Sequence, residues 1–513
     1  MASGMAIGMG SLLMRVLMLG WEFPPFIAGG LGVACYGLTK SLDRMGHSVL
    51  FTLPKTVDRS QGSHVKLLSP GRVDAETAAA MAGAMGGASA ALVEKLRAGE
   101  QDLSGGTGYD FQNAVFRGVP ATFDNPYQSF EPARTQEWFP ISGEVPLDRT
   151  MDARFHAIAS ATGTDKSVDK GAVETAGTML ASLLPQVGQG GSKAGAMYGS
   201  DLVGDSERYA TLVVAMARGE DFDVIHAHDW LTYPAGVALA KVTGKPLVVH
   251  VHSTEFDRAG SNVNQRVYDI ERAGMQAADQ VIAVSQLTRT ICVSRYGVAM
   301  NKVHVVHNGV DREESQPAGD VKIESGDKLV LFLGRITMQK GPEYFIAAAK
   351  RVLEKVQNVK FVLAGSGDMA ERMIELAANI GIGHKVIFTG FLRGKDVQRV
   401  FDMADCYVMP SVSEPFGIAA LEAIHHDVPV ILSKQSGAAE VLTHALKVDF
   451  WDIDEMANKI VAVLRHPPLS QTLREHGEFE LRRLTWDGAA AKCIEVYETA
   501  ISQKQATKPA RSA

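Results

Sequence analysis

Four charged residues in the second half of the chain have types and spacing suited to an anionic, hydroxyl-rich ligand. Arg335 and Lys340 follow the apolar run 329–334, which is typical of a buried strand. Glu414 and Glu422 are separated by seven residues across a loop-to-helix junction. Arginine binds phosphate oxygens in a fork and lysine adds a point charge. A basic pair and an acidic pair at adjacent strand ends therefore predict a ligand with phosphates at one end and hydroxyls at the other, such as a nucleotide sugar.

Each pair also has an ordinary structural interpretation. Arg335 and Lys340 could be solvated loop cations, Glu414 an N-terminal helix charge and Glu422 a surface residue. The presence of both pairs favours ligand binding, because the two cations could stabilise a departing nucleoside diphosphate without a metal ion.

Glycine-rich turns follow several of the predicted strands. Gly29 and Gly30 precede a predicted helix, where close backbone approach and unpaired N–H groups suit an anion. Their spacing is not that of a dinucleotide fingerprint, and a flexible turn is the alternative. The segment 433–440, which contains Gly437, offers further amides for a phosphate, whereas the turn 365–367 is weak evidence by itself.

Two His-x-His pairs stand at strand ends in the first half, His226 with His228 and His250 with His252. Imidazoles at positions i and i+2 of a strand point to one face, so a metal site is a rival interpretation. No nearby carboxylate pattern completes a hydrolase motif, which favours hydrogen bonds to sugar hydroxyls or buried structural histidines. Trp230 could stack on a sugar or pack in the core.

Apolar runs alternate with helix patterns in both halves of the chain. This alternation predicts an α/β fold of two doubly wound, Rossmann-like domains with a cleft at the strand ends. The predicted strands cover 15–20, 48–53, 223–228, 246–252, 280–284, 303–306, 328–334, 359–365, 386–389, 406–410 and 428–433. The predicted divisions are a dispensable, disordered leader (1–14), an N-terminal acceptor domain (15–312) with an insertion at about 70–200, a linker (311–326), a donor domain (325–485), a helix crossing back to the N-terminal domain (486–503) and a disordered tail (504–513).

Composition narrows the class of protein. Of 513 residues, 46% are hydrophobic and 21% charged, which allows a sizeable core. The net charge of −7 with dispersed cations argues against nucleic-acid binding. Four distant cysteines without a C-x-x-C pair predict isolated thiols in a reducing compartment. The start lacks a basic region before its apolar stretch, so we expect a cytoplasmic protein without membrane insertion.

Taken together, the motifs resemble the retaining GT-B glycosyltransferases of the family 4 type, close to the glycogen and starch synthases. The resemblance covers about 15–55 and 200–500. It is carried by Gly29-Gly30-Leu31-Gly32, the phrase from Asp223 to Trp230, His307-Asn308-Gly309-Val310-Asp311, the segment from Gly334 to Gly341, and the E-x7-E motif from Glu414 to Glu422.

For the donor, the resemblance implies that Arg335 and Lys340 hold the diphosphate and stabilise the leaving group. Glu422 would bind the nucleotide ribose. Glu414 would bind hydroxyls of the transferred sugar, with backbone amides near Phe416 and Gly417 assisting.

The resemblance also implies roles for residues of the N-terminal domain. His252 would be the catalytic-site histidine that contacts the donor sugar near the reacting carbon. Gly29 and Gly30 would approach the phosphates, and Asp229 and Trp230 would lie on the acceptor side.

Two positions depart from the family pattern. Ile27 stands where bacterial glycogen synthases that use ADP-glucose carry lysine, which leaves UDP-glucose or another donor open. Gly437-Ala438 replaces the usual Gly-Gly. Because alanine disfavours positive φ, we expect a slightly different loop shape there.

The implied activity is transfer of a hexose, expected to be glucose, from a nucleotide sugar such as UDP-glucose or ADP-glucose to a carbohydrate acceptor, expected to be an α-glucan. The family reacts by front-face attack, and no metal is required. Four alternatives stay open: a small-sugar acceptor, a lipid-linked acceptor, a non-catalytic relative, and a metal-dependent hydrolase that uses the His-x-His pairs.

Overall fold

The computed structural model describes residues 13–23, 29–54, 67–68, 100–101, 114–118, 202–217, 220–310 and 326–506. Ile27, most of the expected leader, insertion and linker, and residues 507–513 of the expected tail lie outside the described residues.

The N-terminal half forms a nine-stranded sheet with the order β4-β3-β5-β2-β1-β6-β7-β8-β9. Its strands are β1 (Arg15–Leu19), β2 (Ser48–Leu53), β3 (Leu67–Leu68), β4 (Glu100–Gln101), β5 (Ala114–Gly118), β6 (Val224–His228), β7 (Leu247–Val251), β8 (Gln280–Ala283) and β9 (Val303–Val305). Only the β3–β4 pair is antiparallel in this described sheet. Strands β6, β7 and β8 are buried along their whole length, because helices cover both faces of a parallel sheet.

Helices flank this sheet, and local sequence explains where several of them begin. They are α1 (Gly30–Arg44), α2 (Leu202–Met216), α3 (Tyr233–Thr243), α4 (Glu255–Ala259), α5 (Gln265–Ala277) and α6 (Gln286–Tyr296). Ser285 caps α6 by accepting from the backbone N–H of Thr288 at 3.0 Å. Sequence reasoning missed α4, whose start is a capping box between Thr254 and Asp257.

The C-terminal half forms a six-stranded sheet that is parallel throughout its described strands. The strands are β10 (Lys328–Leu333), β11 (Val359–Ala364), β12 (Val386–Gly390), β13 (Cys406–Met409), β14 (Val430–Ser433) and β15 (Leu446–Val448), in the order β12-β11-β10-β13-β14-β15. Strand β15 was not predicted. The strand order reverses between β10 and β13, and a crevice forms at such a switch point.

The helices of this half are α7 (Pro342–Leu353), α8 (Ala370–Asn379), α9 (Lys395–Asp402), α10 (Ile418–His425), α11 (Ala438–Val441), α12 (Ile453–Arg465) and α13 (Pro467–Leu481). A last helix, α14 (Trp486–Ala506), leaves this domain and packs into the N-terminal core. Trp486 lies against Gly37 of α1, where an added Cβ would come within 2.3 Å of the indole. The chain therefore has the expected two-domain, Rossmann-like α/β architecture.

No helix in the described ranges is long and apolar enough to cross a membrane. Each of the four cysteines, Cys35, Cys292, Cys406 and Cys493, is a buried free thiol.

Candidate active site

The topology of the C-terminal sheet brings the predicted basic and acidic residues together. Arg335 and Lys340 follow β10, and Glu414 follows β13. These two strands are hydrogen-bonded neighbours and form the point at which the strand order reverses. Ligands of doubly wound sheets bind at the carboxyl ends of the strands that flank such a point. The predicted residues therefore occupy the place where this fold forms a binding crevice.

Lys340 and Glu414 are in direct contact in the structure. The Nζ of Lys340 lies 2.5 Å from Oε2 of Glu414, and the hydroxyl of Ser411 donates to the same oxygen at 3.0 Å. Glu414 is only 5% exposed. Burial and two donors hold this carboxylate in one orientation, so the cation and the anion of the site are positioned together.

The Gly365–Gly367 turn supports the loop that carries Arg335. The N–H of Ile336 donates to the carbonyl of Ser366 at 2.9 Å, and Arg335 donates to Oε1 of Gln339 at 3.2 Å. At Gly365, which has a φ of +147°, an added Cβ would lie 1.8 Å from the carbonyl oxygen of Gly334. Only glycine permits this approach. In the sequence this turn is weak evidence by itself, because close packing cannot be read from a Gly-Ser-Gly triplet.

The start of α10 offers free backbone donors beside Glu414. Within the part of the chain that the structure describes, the N–H groups of Phe416, Gly417 and Ile418 donate to no protein acceptor. The first N–H groups of a helix have no intrahelical partner and attract ligand oxygens. This arrangement agrees with the assisting role expected for the amides of Phe416 and Gly417.

The expectation for Gly437 needs correction. The N–H of Gly437 donates to the carbonyl of Glu414 at 2.9 Å, and the N–H of Ala438 donates to that of Phe416 at 2.7 Å. These amides are therefore engaged within the protein and are not offered to a phosphate. The close approach of Pro415, whose carbonyl would lie 2.2 Å from an added Cβ, explains the glycine.

Gly437 and Ala438 adopt ordinary right-handed backbone conformations. Gly437 has a φ of −64°, and Ala438 is the first residue of α11. Neither position uses the left-handed region, so alanine fits without strain. The expected difference in loop shape stays a prediction, but a positive φ at the alanine cannot be its cause.

Glu422 lies in the second turn of α10, half-buried. Burial raises the pKa of its carboxyl to about 7. Burial also raises the pKa of the Tyr407 phenol, and the charges of Glu414 and Glu422 raise it further. Both carboxylates therefore lie within electrostatic reach of Tyr407 on β13.

On the N-terminal side, Asp229 positions the backbone of His252. Its Oδ1 accepts from the N–H groups of His252 and Ser253 at 2.7 and 3.3 Å. Asp229 is 3% exposed and has a φ of +59°, a conformation that aspartate tolerates better than most residues. Burial raises the pKa of Asp229 to about 7.

Asp229 and Trp230 are both buried, and their place on the acceptor side stays a prediction. Trp230 is 3% exposed and belongs to the N-terminal core, which agrees with the core-packing alternative. The carboxylate of Asp229 is engaged by the backbone at His252 and Ser253.

The four histidines of the two His-x-His pairs form one stack on one face of the sheet. His228 and His250 are partners in the β6–β7 register. The ring centroids of His226 and His228 are 4.2 Å apart, and those of His250 and His252 are 4.1 Å apart. Nδ1 of His228 lies 2.9 Å from Nε2 of His252. Burial lowers the pKa of all four, to about 3 for His226 and His252, so the rings are neutral.

This histidine stack does not provide a hydrolase site. One ring nitrogen from each of His226, His228 and His250 lies within 4.8 Å of the others, which is a possible metal-binding set. The three residues are at most 3% exposed, and within the described ranges no carboxylate joins the set. A catalytic metal needs an open coordination position that substrate can reach. The structure favours the alternative of buried structural histidines for His226 and His250.

The buried histidines predict a specific pH dependence of stability. Burial lowers the pKa of His250 well below its ordinary value of 6.5. The unfolded chain takes up a proton below pH 6.5 that the folded protein does not. Stability from this group is therefore present above pH 6.5 and is lost as the pH falls.

His250→Phe should remove this one contribution. Between pH 7 and pH 5 the wild type should lose about 2 kcal/mol more free energy of unfolding than the variant, by proton linkage for a single histidine. Urea unfolding of both proteins at the two pH values measures the difference. Equal losses would show that His250 titrates normally in the folded protein.

Glu22 is a site residue that sequence reasoning missed. It is 1% exposed, its Oε2 accepts from the N–H of Gly29 at 3.2 Å, and its Oε1 has no partner among the described residues. Burial raises the pKa of Glu22 to about 7, and the charge of Arg335 opposes this rise. Glu22 thus holds the turn before Gly30 through the N–H of Gly29, and it lies within the electrostatic influence of Arg335 in the other domain. A glutamate within an apolar loop, between Trp21 and Phe23, was the available signal.

The two domains touch around the cleft. The carboxylate of Glu440 accepts from the N–H groups of Gln286 and Leu287 at 2.8 and 2.7 Å, at the start of α6. The hydroxyl of Ser413 donates to Asp257 at 2.6 Å. These contacts set the distance between the histidine stack of one domain and the charged residues of the other.

Comparison with known proteins agrees with this geometry. Three family models match successive segments: the starch synthase catalytic domain over 15–102, glycosyltransferase family 4 over 200–314 and glycosyl transferases group 1 over 315–478. The solved sucrose-phosphate synthase from Thermosynechococcus elongatus superposes with a TM-score of 0.62 at 16% identity, over 96% of this chain and all of that one. The likeness shows a shared GT-B fold.

Two curated relatives are similar to this chain in sequence. The chain is 26% identical to a glycogen synthase of Mycobacterium tuberculosis over 56% of its own length and 71% of that protein. It is 32% identical to an uncharacterized glycosyltransferase of Methanocaldococcus jannaschii over 55% of its own length and 76% of that protein. At that identity and coverage, this chain belongs to the GT-B glycosyltransferases of the group 1 and family 4 type, and it is an enzyme that transfers sugars.

Proposed function

We propose that this enzyme transfers glucose, with retention of configuration, from a nucleotide sugar to an α-glucan. The observation that carries the proposal is the Lys340–Glu414 contact at the switch point, beside the free amides at the start of α10. A fixed cation, a fixed carboxylate and unpaired N–H groups together match the phosphate and hydroxyl ends of a nucleotide sugar.

Lys340 and Arg335 are proposed to bind the diphosphate. Negative charge develops on the diphosphate as the bond to the sugar breaks, and positioned cations stabilise that charge in a water-poor cleft. In this mechanism the acceptor hydroxyl bonds to the anomeric carbon on the face that the diphosphate leaves. The hydroxyl proton passes to the departing phosphate oxygen. No covalent enzyme intermediate is needed.

Glu414 is proposed to accept hydrogen bonds from hydroxyls of the transferred glucose. Its Oε2 is shared by Lys340 and Ser411, so the other carboxylate oxygen is the one directed to sugar. The amides of Phe416 and Gly417 would complete the contacts at the phosphate end. His252 is proposed to meet the sugar from the N-terminal domain.

Glu422 is proposed to bind the two ribose hydroxyls of the nucleotide. Glu422→Ala should raise the KM for the donor about 10-fold and leave kcat within about 3-fold, because ribose contacts act alike in the ground and transition states. Initial rates at varied donor concentration separate the two constants. An unchanged KM would remove the ribose assignment.

The donor nucleotide and the acceptor are the finer parts of the proposal. The glycogen synthase relative supports a glucose donor and an α-glucan acceptor. Ile27, where lysine accompanies ADP-glucose in the family, leaves UDP-glucose as an equal candidate. A small-sugar acceptor is the second candidate, favoured by the structural likeness to sucrose-phosphate synthase.

The deciding experiment measures nucleoside diphosphate release from ADP-glucose, UDP-glucose and GDP-mannose, with and without glycogen, in EDTA. Release that glycogen stimulates from one glucose donor would support an α-glucan synthase that needs no metal. Release that ignores glycogen would move the acceptor to a small or lipid-linked sugar. Release that returns only when Mg²⁺ is added would overturn metal independence.

A further inference from the structure

The ring of His228 contacts the ring of His252, and the proposed reaction gives His228 no role. The two rings share a hydrogen bond of 2.9 Å between Nδ1 of His228 and Nε2 of His252. His228 is fully buried on β6, whereas His252 follows β7 and is half-buried. One of the two nitrogens must carry the proton of this bond.

Both rings are neutral, so each carries one proton, and two arrangements are possible. In the first, His228 donates from Nδ1, and His252 carries its own proton on Nδ1. In the second, His252 donates from Nε2, and His228 carries its proton on Nε2. The two arrangements place opposite groups at the cleft, because Nδ1 of His252 is an N–H donor in the first and a bare acceptor in the second.

Burial decides between the two arrangements. Nε2 of His228 is buried and has no partner among the described residues. The second arrangement would place a buried N–H there without an acceptor. The first leaves a bare nitrogen instead, and buried unpaired N–H groups are rarer in proteins than unpaired acceptors.

The other nitrogen of His252 is directed to the cleft. Across the described ranges, Nδ1 of His252 has no hydrogen-bond partner, and it is not among the buried unpaired atoms. Asp229 fixes the backbone of the same residue through the N–H groups of His252 and Ser253. The helix α4 that follows packs against Met338–Lys340 of the other domain. His252 is therefore held at both its backbone and its ring, facing the donor side of the cleft.

We propose that His228 is a positioning residue that fixes His252 in the Nδ1–H tautomer, so that His252 presents a neutral hydrogen-bond donor to an oxygen of the transferred sugar. The proposal rests on the proposed function for the identity of that oxygen. The assignment of the tautomer stands on the geometry of the two rings. A donor rather than a base at this position agrees with a reaction in which the acceptor proton passes to the leaving phosphate.

Variants of His228 test the role in catalysis. His228→Asn places an amide N–H near the position of Nδ1 and should keep kcat within about 3-fold of the wild type. His228→Phe keeps a ring in the stack but removes the donor, and should lower kcat about 30-fold with little change in KM. His250→Phe is the matched control, because His250 stacks on the His252 ring but its side chain makes no hydrogen bond among the described residues. It should keep nearly full activity.

Two outcomes of the kinetics would overturn the proposal. Equal losses in His228→Phe and His250→Phe would show that the stack acts only through packing. A kcat of His228→Asn no higher than that of His228→Phe would show that the proton donated by His228 does not contribute to kcat.

A second measurement does not depend on activity. ¹⁵N NMR of the full-length protein labelled at histidine reports which ring nitrogen carries the proton, and His252→Gln identifies the His252 signal by its absence. We expect protonated Nδ1 and bare Nε2 in His252. Protonated Nε2 would overturn the tautomer whatever substrate the enzyme uses, whereas the expected tautomer with no nucleotide-sugar turnover would refute only the proposed function.

Discussion

Lys340→Ala should lower kcat about 1000-fold, a loss of about 4 kcal/mol in transition-state stabilisation. The lysine charge lies beside the buried Glu414 carboxylate, at the end of β10 where the diphosphate is proposed to bind. The charge matters most when the diphosphate leaves, so kcat should change more than KM. Steady-state kinetics with the donor identified by the release assay gives both constants.

A control variant must distinguish the effect on kcat of removing the active-site charge from the effect of breaking any lysine–carboxylate ion pair. Lys434 forms an exposed ion pair with Asp449, with 2.8 Å between Nζ and Oδ2, and exposed pairs contribute little. Lys434→Ala should therefore keep activity within about 2-fold of the wild type. Circular dichroism and thermal unfolding of both variants test whether the fold is intact. A folded Lys340→Ala enzyme with near wild-type kcat would contradict the donor-site assignment, and Arg335→Ala should show a loss of similar order.

Gly365→Ala should cost about 3 kcal/mol of stability and about 100-fold in kcat/KM for the donor. The new Cβ would lie 1.8 Å from the carbonyl oxygen of Gly334, so the backbone of one of the two loops must move. That movement displaces Arg335, the next residue after Gly334. Small displacements of catalytic groups are costly because the reacting atoms must be aligned.

A second glycine separates this clash from the general effect of adding a side chain at positive φ. Gly381 follows α8 with a φ of +77°, and no atom lies within 4 Å of an added Cβ. Gly381→Ala should cost about 1 kcal/mol from backbone strain and leave donor kinetics unchanged. Urea unfolding and donor kinetics of both variants make the comparison. Equal effects of the two substitutions on kcat/KM would show that the Gly334–Gly365 approach does not support the site.

Local sequence determined the existence and type of most elements. Continuous apolar runs such as β6, β7 and β10 have few alternatives to buried parallel strands, since both of their faces must be covered. The misses were short elements, the helix α4 and the strands β3, β4, β5 and β15, each of which has five residues or fewer and carries too little periodicity to detect.

Hydrophobic period and motif spacing are local properties that one strand–loop–helix unit displays. They were therefore enough to predict the fold class and to single out the charged residues of the candidate site. Which of these groups touch depends on the packing of the whole chain. Lys340 meets Glu414 across 74 positions of chain, His228 meets His252 because β6 and β7 are neighbours in register, and Glu22 comes within the electrostatic influence of Arg335 because the domains close on one another. The same packing buried Trp230 and engaged the amide of Gly437. Burial and partner choice depend on strand order and on domain contact, and neither quantity is encoded in the spacing of residues within a motif.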